Sequence, residues 1–198
     1  MSRTFFTADW HLGDDRQDIL GRPFASAEEM QTRIIAEHNA IVSPDDTVFV
    51  IGDALHSSGK VPPKALADFN GHLILIRGNH DVLPDDAYAP YVEAIVAEGQ
   101  GIATDVGGLP CYLTHYPTQA ERHLFNLVGH IHGTWRVQKN MLNVGVDAHH
   151  FRPVSEEQVL FYFKAICDFY DEDVWCASSD ANEQHSHRGK PGRYLDKS

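Results

Sequence analysis

The sequence of 198 residues predicts an α/β fold, and three observations support that prediction. Short runs of β-branched and aromatic residues, apolar on both faces, recur along the chain, as is typical of strands in a sheet covered on both sides. Stretches with the apolar spacing of amphipathic helices lie between these runs. The length also fits one domain of roughly 100–200 residues, and we place that domain at residues 1–170.

Five of the apolar runs are predicted as strands that lead into a polar loop: Thr4–Ala8, Thr47–Ile51, Leu73–Ile76, Cys111–Thr114 and Leu124–Val128. Each of these runs is followed within a few residues by an aspartate, an asparagine or a histidine. Because open α/β sheets place their sites beyond the carboxyl ends of the strands, these polar residues are expected to meet there. Two further strands are predicted at Trp135–Val137 and Met141–Val146.

Four helices are predicted from the spacing of apolar residues: Ser26–Val42, Pro63–Phe69, Ala87–Ala97 and Ser155–Tyr170. The first begins with a capping box formed by Ser26 and Glu29. The fourth begins with the same pattern, in which Gln158 stands three residues after Ser155. Proline is suited to the first turn of the second helix, because its missing N–H has no partner there.

The composition changes at Asp171, where an acidic stretch leads into a polar segment with almost no apolar periodicity. We predict that residues 171–198 form a disordered tail. His185 and His187 lie in this tail and are interpreted as solvated side chains.

The chain is acidic, with 16 Lys and Arg against 28 Asp and Glu and a formal net charge of −12. Such a surface repels a phosphate backbone, so extended nucleic acid is not an expected partner. A small phosphate ester remains compatible with this charge if bound metal ions supply positive charge locally.

The cysteine pattern and the amino terminus both favour a cytoplasmic protein. The three cysteines, Cys111, Cys167 and Cys176, are an odd number without a CxxC pair, which suits free thiols in a reducing compartment. The first residues lead straight into a predicted strand, without the basic and apolar regions of a signal peptide. No uninterrupted apolar stretch is long enough for a membrane span.

The 13 histidines are the unusual feature of the composition. Seven residues of metal-ligand type follow the five predicted strands: Asp9, His11, Asp53, Asn79, His115, His130 and His132. A single buried histidine is more often a hydrogen-bonded core residue, but this grouping is hard to explain in that way. Oxygen and imidazole ligands without thiolate suit manganese, iron, nickel or zinc. The set is too large for one tetrahedral ion, whereas two ions about 3.5–4 Å apart would suit displacement at phosphorus.

The motifs around these residues resemble the five-part signature of the calcineurin-like metallophosphoesterases. The matching segments, in family order, are Asp9-Trp10-His11, Gly52-Asp53, Gly78-Asn79-His80-Asp81, His115 and Gly129-His130-Ile131-His132. The chain is also similar to the small single-domain bacterial and phage subgroup, through Arg22-Pro23-Phe24 and Val144–Asp147, so the likeness extends to about residue 165. The resemblance implies a two-sheet β-sandwich flanked by helices in four layers, α/β/β/α.

The resemblance also implies a role for each matching residue. Seven residues would hold two divalent metal ions, with manganese the first choice over iron, nickel or zinc: Asp9, His11 and His132 for one ion, Asn79, His115 and His130 for the other, and Asp53 for both. His80 would contact the substrate together with Asn79, and it would protonate the leaving oxygen as general acid. Asp81 would orient His80.

The implied function is hydrolysis of a phosphodiester or phosphomonoester bond of a small substrate by a metal-bound hydroxide. The alternatives are a nuclease that acts on nucleotide ends and a non-catalytic protein-binding scaffold of the same fold. The oligomeric state is left open.

Several residues near the motifs allow two interpretations. Arg22 is predicted either to bind a phosphoryl oxygen of the substrate or to be a loop arginine paired with a carboxylate. We place His56, His149 and His150 at the surface, and we interpret His72 and Arg77 as structural.

Overall fold

The computed structural model describes residues 2–170. The predicted tail, residues 171–198 with Cys176, His185 and His187, lies outside the described residues. Strands occupy ten segments of the described chain: β1 Thr4–Thr7, β2 Thr47–Ile51, β3 His72–Ile76, β4 Ala94–Val96, β5 Gly101–Val106, β6 Leu109–Thr114, β7 Phe125–Val128, β8 Val137–Gln138, β9 Met141–Asn143 and β10 Val154–Ser155.

The helices of the described chain are α1 Gln17–Leu20, α2 Ala27–Asn39, α3 Asp85–Tyr88 and α4 Glu156–Phe169, with short 3₁₀ helices at Pro63–Asp68, Pro117–Gln119 and Val146–Ala148. None of the helices in residues 2–170 is long and apolar enough to cross a membrane.

The first sheet has the strand order β10-β1-β2-β3-β4. Its four strands β1 to β4 run parallel, and β10 pairs antiparallel with β1. Parallel strands end at the same edge of a sheet, so the loops after β1, β2 and β3 lie together. This edge carries Asp9, Asp53 and the segment from Asn79 to Asp81.

The second sheet has the strand order β5-β6-β7-β9-β8. Its central strands β6, β7 and β9 are parallel, whereas the edge strands β5 and β8 pair antiparallel with their neighbours. The loops after β6 and β7 carry His115 and His130. A parallel bridge between Ala8 and Gly145 connects the end of β1 to the segment after β9. The two sheets therefore meet at the ends that carry the polar loops.

Two apolar cores stabilise this arrangement. The first lies between one face of the first sheet and the helices, and it includes Val48, Val50, Met30 and Ile34. The second contains side chains from both sheets, such as Phe6, Leu113 and Leu127, together with Val159 and Ile166 of α4. Alternate side chains of a strand point to opposite faces, so the first sheet contributes to both cores. This explains why its strands are apolar on both faces.

The structure is mixed α/β, as the residue pattern predicts, and its strands form two five-stranded sheets, as the resemblance implies. The five strands that lead into polar loops are all present, with ends shifted by two residues at most. The capping box of α4 is complete, because Ser155 Oγ accepts from Gln158 N and Gln158 Oε1 accepts from Ser155 N. At α2 only half of the predicted box is found, since the Glu29 carboxylate accepts from Ala25 N instead of Ser26 N.

The helix predicted at residues 87–97 is wrong. A single turn, α3, ends at Tyr88, and the chain then forms β4, which pairs with β3. Pro90 lies in this stretch, and its ring and missing N–H are incompatible with a helix interior. The edge strand β5 was not predicted, because its exposed residues interrupt the apolar pattern.

Candidate metal centre

The loops after β1, β2 and β9 are tied together by backbone hydrogen bonds, and a further bond from Gly129 N to His115 O, at 3.1 Å, joins the loops after β6 and β7. Asp9 N donates to Gly52 O at 3.0 Å, and His11 N donates to Asp53 O at 2.9 Å. Val146 N donates to Ala8 O at 3.0 Å across the two sheets. These bonds bring the predicted ligands from both sheets into one cluster.

Five of the seven predicted ligands have left-handed backbone conformations. The φ angles are 60° at Asp9, 52° at His11, 54° at Asp53, 75° at His130 and 49° at His132. Among the described non-glycine residues with positive φ, the only others are His150 and Phe151. A non-glycine residue in this region costs about 1–3 kcal/mol, and such residues cluster at functional sites. The backbone strain of the described chain is therefore concentrated where the sequence predicts metal ligands.

Three groups of side chains have ligand atoms that lie within 4.8 Å of one another, which is close enough to hold a metal ion. The first contains Asp9, His11 and His132, and the second contains Asp53, His115 and His130. A third contains His11, Asp53 and His80, so proximity alone also permits His80 as a ligand. The first two groups match the two ligand sets implied by the sequence motifs, with Asn79 added to the second.

Asp9 and His11 carry buried polar atoms that have no hydrogen-bond partner. Asp9 Oδ1 accepts from His130 N at 2.9 Å, but Asp9 Oδ2 and both ring nitrogens of His11 are unsatisfied. Burial raises the pKa of Asp9 to about 6 and lowers the pKa of His11 to about 4. At neutral pH these groups are a buried carboxylate and a neutral imidazole, both of which are metal-ligand forms. Because an unpaired buried carboxylate is costly, a cation beside Oδ2 fits this site.

Asp53 lies at the centre of the cluster. His11 Nε2 and His115 Nε2 each approach Asp53 Oδ2 at 3.4 Å. Burial alone would raise the pKa of Asp53, but the close contacts with both histidines reverse this and hold the pKa well below its usual range. Burial alone would lower the pKa of His115, but the Asp53 carboxylate outweighs burial and raises this pKa to about 9. One carboxylate is therefore in contact with residues of both groups.

Asn79 and His80 occupy the loop after β3. Asn79 Oδ1 lies 3.3 Å from His115 Nε2 and 3.1 Å from His130 Nδ1, so the amide oxygen faces the second group. The ring of His80 packs edge-on against His11, with 4.8 Å between ring centroids. Its Nδ1 lies 3.1 Å from Ser57 Oγ. Ser57 is a contact of His80 that sequence motifs could not reveal, because the two residues come from different loops.

Glycines 52 and 78 allow the loops to approach this closely. A Cβ at Gly52 would lie 2.1 Å from His115 Nδ1, and Gly52 also has a φ of +88°. A Cβ at Gly78 would lie 2.2 Å from Asp53 Oδ1 and 2.6 Å from Asp53 N. Any side chain at these positions would displace a candidate ligand.

Asp81 does not contact His80 in the way that the motif implies. Its carboxylate accepts hydrogen bonds from the backbone N–H groups of Asp53, Leu55 and Gly78, at 2.8, 3.2 and 3.0 Å. Burial raises the pKa of Asp81 to about 6. The prediction that Asp81 orients the His80 ring is corrected accordingly: the Asp81 carboxylate holds the loop that carries Asp53.

Arg22 lies behind the cluster and is not directed at a substrate. Its side chain is 1% exposed, and its guanidinium pairs with the Asp147 carboxylate through Nε and Nη2, at 2.7 and 2.8 Å. The interpretation of Arg22 as a phosphoryl-binding residue is therefore wrong, and the alternative of a loop arginine paired with a carboxylate is correct. Asp147 also approaches His132 Nδ1 at 2.9 Å.

His56 lies at the edge of the site. Its predicted position on the open surface is wrong. Its ring stacks on His80 with 4.9 Å between centroids, and its Nε2 lies 2.7 Å from Arg16 Nη2. Arg16 is itself held by the buried carboxylate of Asp14, with contacts of 2.9 and 2.7 Å. The motifs could not show this, because Arg16 and His56 are 40 residues apart.

Three of the other uncertain residues are settled by burial and contacts. His149 is buried with Nε2 at 2.7 Å from Asn143 O, so its predicted surface position is wrong, whereas His150 is exposed. Arg77 donates to the backbone carbonyls of Asp81 and Leu83, in agreement with a structural role.

Two known proteins are similar in sequence to this chain over most of their own length. No family model matches the chain. An uncharacterised protein of Methanocaldococcus jannaschii is 25% identical over 175 residues, which cover 81% of this chain and 90% of that protein. The gene 66 protein of Mycobacterium phage L5 is 27% identical over 182 residues, which cover 75% of this chain and 88% of that protein.

Two solved structures are similar to the present one. A protein of unknown function from Aquifex aeolicus has a TM-score of 0.64 and 20% identity, and the match covers 82% of this chain and 100% of that one. This likeness shows a shared fold alone. The nuclease MPE of Pseudomonas putida has a TM-score of 0.45 and 23% identity, covering 66% and 62% of the two chains, which is too low to support an argument.

Proposed function

We propose that this protein is a metal-dependent phosphoesterase that hydrolyses a phosphodiester or phosphomonoester bond of a small substrate. The observation that carries the proposal is the pair of adjacent ligand groups in contact with one carboxylate, Asp53. The Asp9 and His11 atoms without hydrogen-bond partners support it, since carboxylate oxygens and imidazole nitrogens are atoms that bind divalent cations. Membership of the calcineurin-like family, with its four-layer fold, is part of the same proposal and is supported by the five motifs.

The residues that would hold the metal ions follow from this grouping. Seven side chains are assigned to two ions: Asp9, His11 and His132 to the first, Asn79, His115 and His130 to the second, and Asp53 to both. This set contains carboxylate, amide and imidazole donors and no thiolate, which suits manganese, with iron, nickel and zinc as alternatives. Two bound divalent ions would supply the positive charge that a phosphoryl group requires and would lower the pKa of a water molecule.

His80 is the residue that we assign to proton transfer. It stands beside His11 and is partly exposed, so a substrate could reach it. The contact between His80 Nδ1 and Ser57 Oγ fixes the orientation of the ring. Nε2, which is not part of that contact, is the nitrogen that we assign to the substrate. In this arrangement His80 would donate a proton to the leaving oxygen, and a general acid typically contributes about 10²–10⁴-fold to the rate. Asn79, in the same loop, would bind substrate as well as metal.

The acidic chain favours a small substrate over extended nucleic acid. The net charge of −12 repels a long phosphate backbone, whereas a single phosphate ester would meet only the locally positive centre. Nothing favours a protein-binding scaffold, because all seven ligand positions and His80 are present.

The test uses metal-stripped protein that is titrated with Mn²⁺ in the presence of bis-p-nitrophenyl phosphate or p-nitrophenyl phosphate. We expect two bound ions per chain and turnover that depends on them. His80→Ala should keep its metal content while turnover falls by about 10²-fold or more. The exposed His123→Ala is the matched control and should behave as wild type.

Three results would change the proposal. Wild-type protein that binds no metal would contradict it directly. Two bound ions without turnover of either ester would favour the scaffold alternative. Cleavage of a single-stranded oligonucleotide at a rate above that of both esters would favour the nuclease.

A further inference from the structure

Arg22 is the point at which the two sheets are joined behind the candidate metal centre. All five of its guanidinium N–H groups have acceptors. Besides the Asp147 carboxylate, Nη2 donates to Asp9 O at 2.5 Å, and Nη1 donates to Trp10 O at 3.0 Å and contacts Met30 Sδ at 3.0 Å. Arg22 therefore holds the carbonyls of Asp9 and Trp10, the two residues that lead from the Asp9 side chain to His11.

Asp147 is the second member of this connection. Its Oδ1 accepts from Arg22 Nε, and its Oδ2 receives both Arg22 Nη2 and His132 Nδ1. Both Asp147 oxygens pair with the guanidinium of Arg22, which is always charged, so Asp147 stands here as an ion-paired carboxylate. An ionised carboxylate can only accept hydrogen bonds, so His132 must carry its proton on Nδ1. This leaves Nε2 of neutral His132 as the atom with a free lone pair.

Arg22 and Asp147 together hold the segment from Asp9 to His11 and the side chain of His132, which form one ligand group. In the described part of the chain they contact no residue of the other group. Arg22 fixes the backbone of Asp9 and of Trp10, which precedes His11, and Asp147 fixes His132. In the second group, His115 Nδ1 is instead held by Ile51 O at 2.9 Å. The described contacts of Arg22 and Asp147 do not include Asp53, Asn79, His115 or His130.

We propose that the buried Arg22–Asp147 pair is a positioning unit for the first metal ion alone, the ion assigned to Asp9, His11 and His132. The pair sets the tautomer of His132 and fixes its distance from the Asp9 loop. Neither residue touches substrate. This inference rests on the proposed function, because it assumes that the two groups hold metal.

The test compares two aspartates that each pair with an arginine and whose side chains are 9% exposed at Asp147 and 3% exposed at Asp46. Asp147→Asn keeps the side-chain size but removes the ionised acceptor of His132 Nδ1. Asp46→Asn is the matched control, because Asp46 is also buried, pairs with Arg3 at 2.7 Å and accepts from the backbone N of Ser43 at 2.8 Å. Asp46 lies at the opposite ends of β1 and β2 from the metal centre. Arg22→Lys, which keeps the charge but cannot make five hydrogen bonds, provides a second variant.

The first readout is Mn²⁺ stoichiometry and affinity, with the positions of the ions located by anomalous diffraction. We expect two ions in wild type and in Asp46→Asn. Asp147→Asn and Arg22→Lys should keep the ion beside Asp53, His115 and His130, and should lose affinity for the other by about 10–100-fold, as is typical when a partner of a metal ligand is removed. Equal losses at both ions, or losses as large in Asp46→Asn, would overturn the proposal.

The second readout needs no metal. A histidine N–H that donates to a carboxylate gives a downfield proton resonance, which can be assigned to His132 Nδ1 by its ¹⁵N correlation. We expect this resonance in metal-free wild type and in Asp46→Asn, and its loss in Asp147→Asn. If wild type shows the resonance but binds no metal, the proposed function fails. If wild type binds two ions and Asp147→Asn binds both with unchanged affinity, the positioning role alone is overturned.

Discussion

The conformation of single residues distinguishes the candidate centre from the rest of the described chain. Asp9, His11, Asp53, His130 and His132 all have positive φ, and each such residue costs about 1–3 kcal/mol. Aspartate and histidine tolerate this region better than most residues do. The hydrogen bonds between the loops, such as Asp9 N to Gly52 O, hold the backbone in place. The backbone of these candidate ligands is therefore held in place by the protein itself.

Asp53 is the residue with the largest expected effect on metal binding. Asp53→Ala removes the carboxylate that contacts both groups, and it leaves His115 without the partner that raises its pKa. We expect the variant to bind at most one Mn²⁺ weakly and to lose nearly all turnover, because two bound ions would supply the charge that the reaction requires. Metal analysis and the p-nitrophenyl ester assays would check this. Full metal content with normal turnover would contradict the bridging role, and the exposed Asp105→Ala serves as control.

Ser57 is expected to have a small but specific effect. Ser57→Ala removes the hydrogen bond to His80 Nδ1, and one such bond contributes about 0.5–1.5 kcal/mol, or roughly 2–12-fold in rate. The expected result is a lower kcat with unchanged Mn²⁺ affinity. Ser58→Ala, at the neighbouring exposed position, should leave kcat as it is. A change in metal affinity in Ser57→Ala would show that the contact with His80 is not its role.

The motifs identified the residues that meet at the centre, but they missed the partners of those residues. Asp9, His11, His115 and His132 could be predicted because each follows a strand within a few positions. Ser57, Asp14 and the pairing of Asp147 with His132 depend on contacts between loops. Those contacts follow from the packing of the two sheets, which a sequence pattern of single residues does not encode.

At the level of elements, α2 contains a buried histidine whose effect on stability should depend on pH. His38 Nε2 lies 2.8 Å from Asn70 O, and Nδ1 has no partner. Burial lowers the pKa of His38 to about 4, whereas the unfolded chain has a value near 6.5. Between these values the unfolded state binds more protons, so this contribution to stability is present above pH 6.5 and is lost as the pH falls to about 4.

His38→Gln tests this contribution, because glutamine can still donate to Asn70 O but does not titrate. In EDTA, wild type should lose up to about 3 kcal/mol more unfolding free energy between pH 6.5 and 4 than the variant does. Urea unfolding at several pH values would measure the difference. The exposed His123→Gln should keep the wild-type dependence, and identical curves for wild type and His38→Gln would contradict the burial argument.

The loop after β3 depends on the absence of a side chain at Gly78. Gly78→Ala would place a Cβ against Asp53, and overpacking of this kind typically costs about 1–3 kcal/mol. We expect lower thermal stability and lower Mn²⁺ affinity together. Gly133→Ala is a matched control beside His132, since its Cβ would lie 3.8 Å from the nearest side chain, Asp147. Equal behaviour of the two variants would show that close approach at Gly78 is not required.

The elements themselves were predictable where the residue pattern agreed with the final packing. The β2 run at Thr47–Ile51 is apolar throughout because both faces of its sheet are covered, and its predicted bounds are those observed. The apolar residues at 94–96 also fit the spacing of the helix predicted at Ala87–Ala97. Only their pairing with β3 makes them a strand. The division into two sheets also depends on pairing, so the sequence motifs alone could not establish it.

For the whole molecule, metal binding should be linked to stability. The cluster brings the carboxylates of Asp9 and Asp53 close enough to repel each other, and metal ions that bind only the folded state stabilise it by mass action. The gain is about 2.7 kcal/mol for each site when the free ion is at one hundred times its dissociation constant. We expect Mn²⁺ to raise the unfolding free energy of wild type over that in EDTA. Asp53→Ala should show little of this gain, and a Tm that is independent of Mn²⁺ in wild type would contradict the linkage.

The hydrogen bonds that close the centre also have a consequence for the order of folding. His130 N and the Asp9 carboxylate are 121 residues apart, and Arg22 and Asp147 are 125 residues apart. The entropy of closing such long loops must be overcome before these contacts contribute, and proteins rich in distant contacts fold slowly. A nascent chain cannot complete the first ligand group until His132 has been synthesised, nor secure it before Asp147. Metal ions would therefore be captured by a chain that has already folded, and they would not act as a template for its folding.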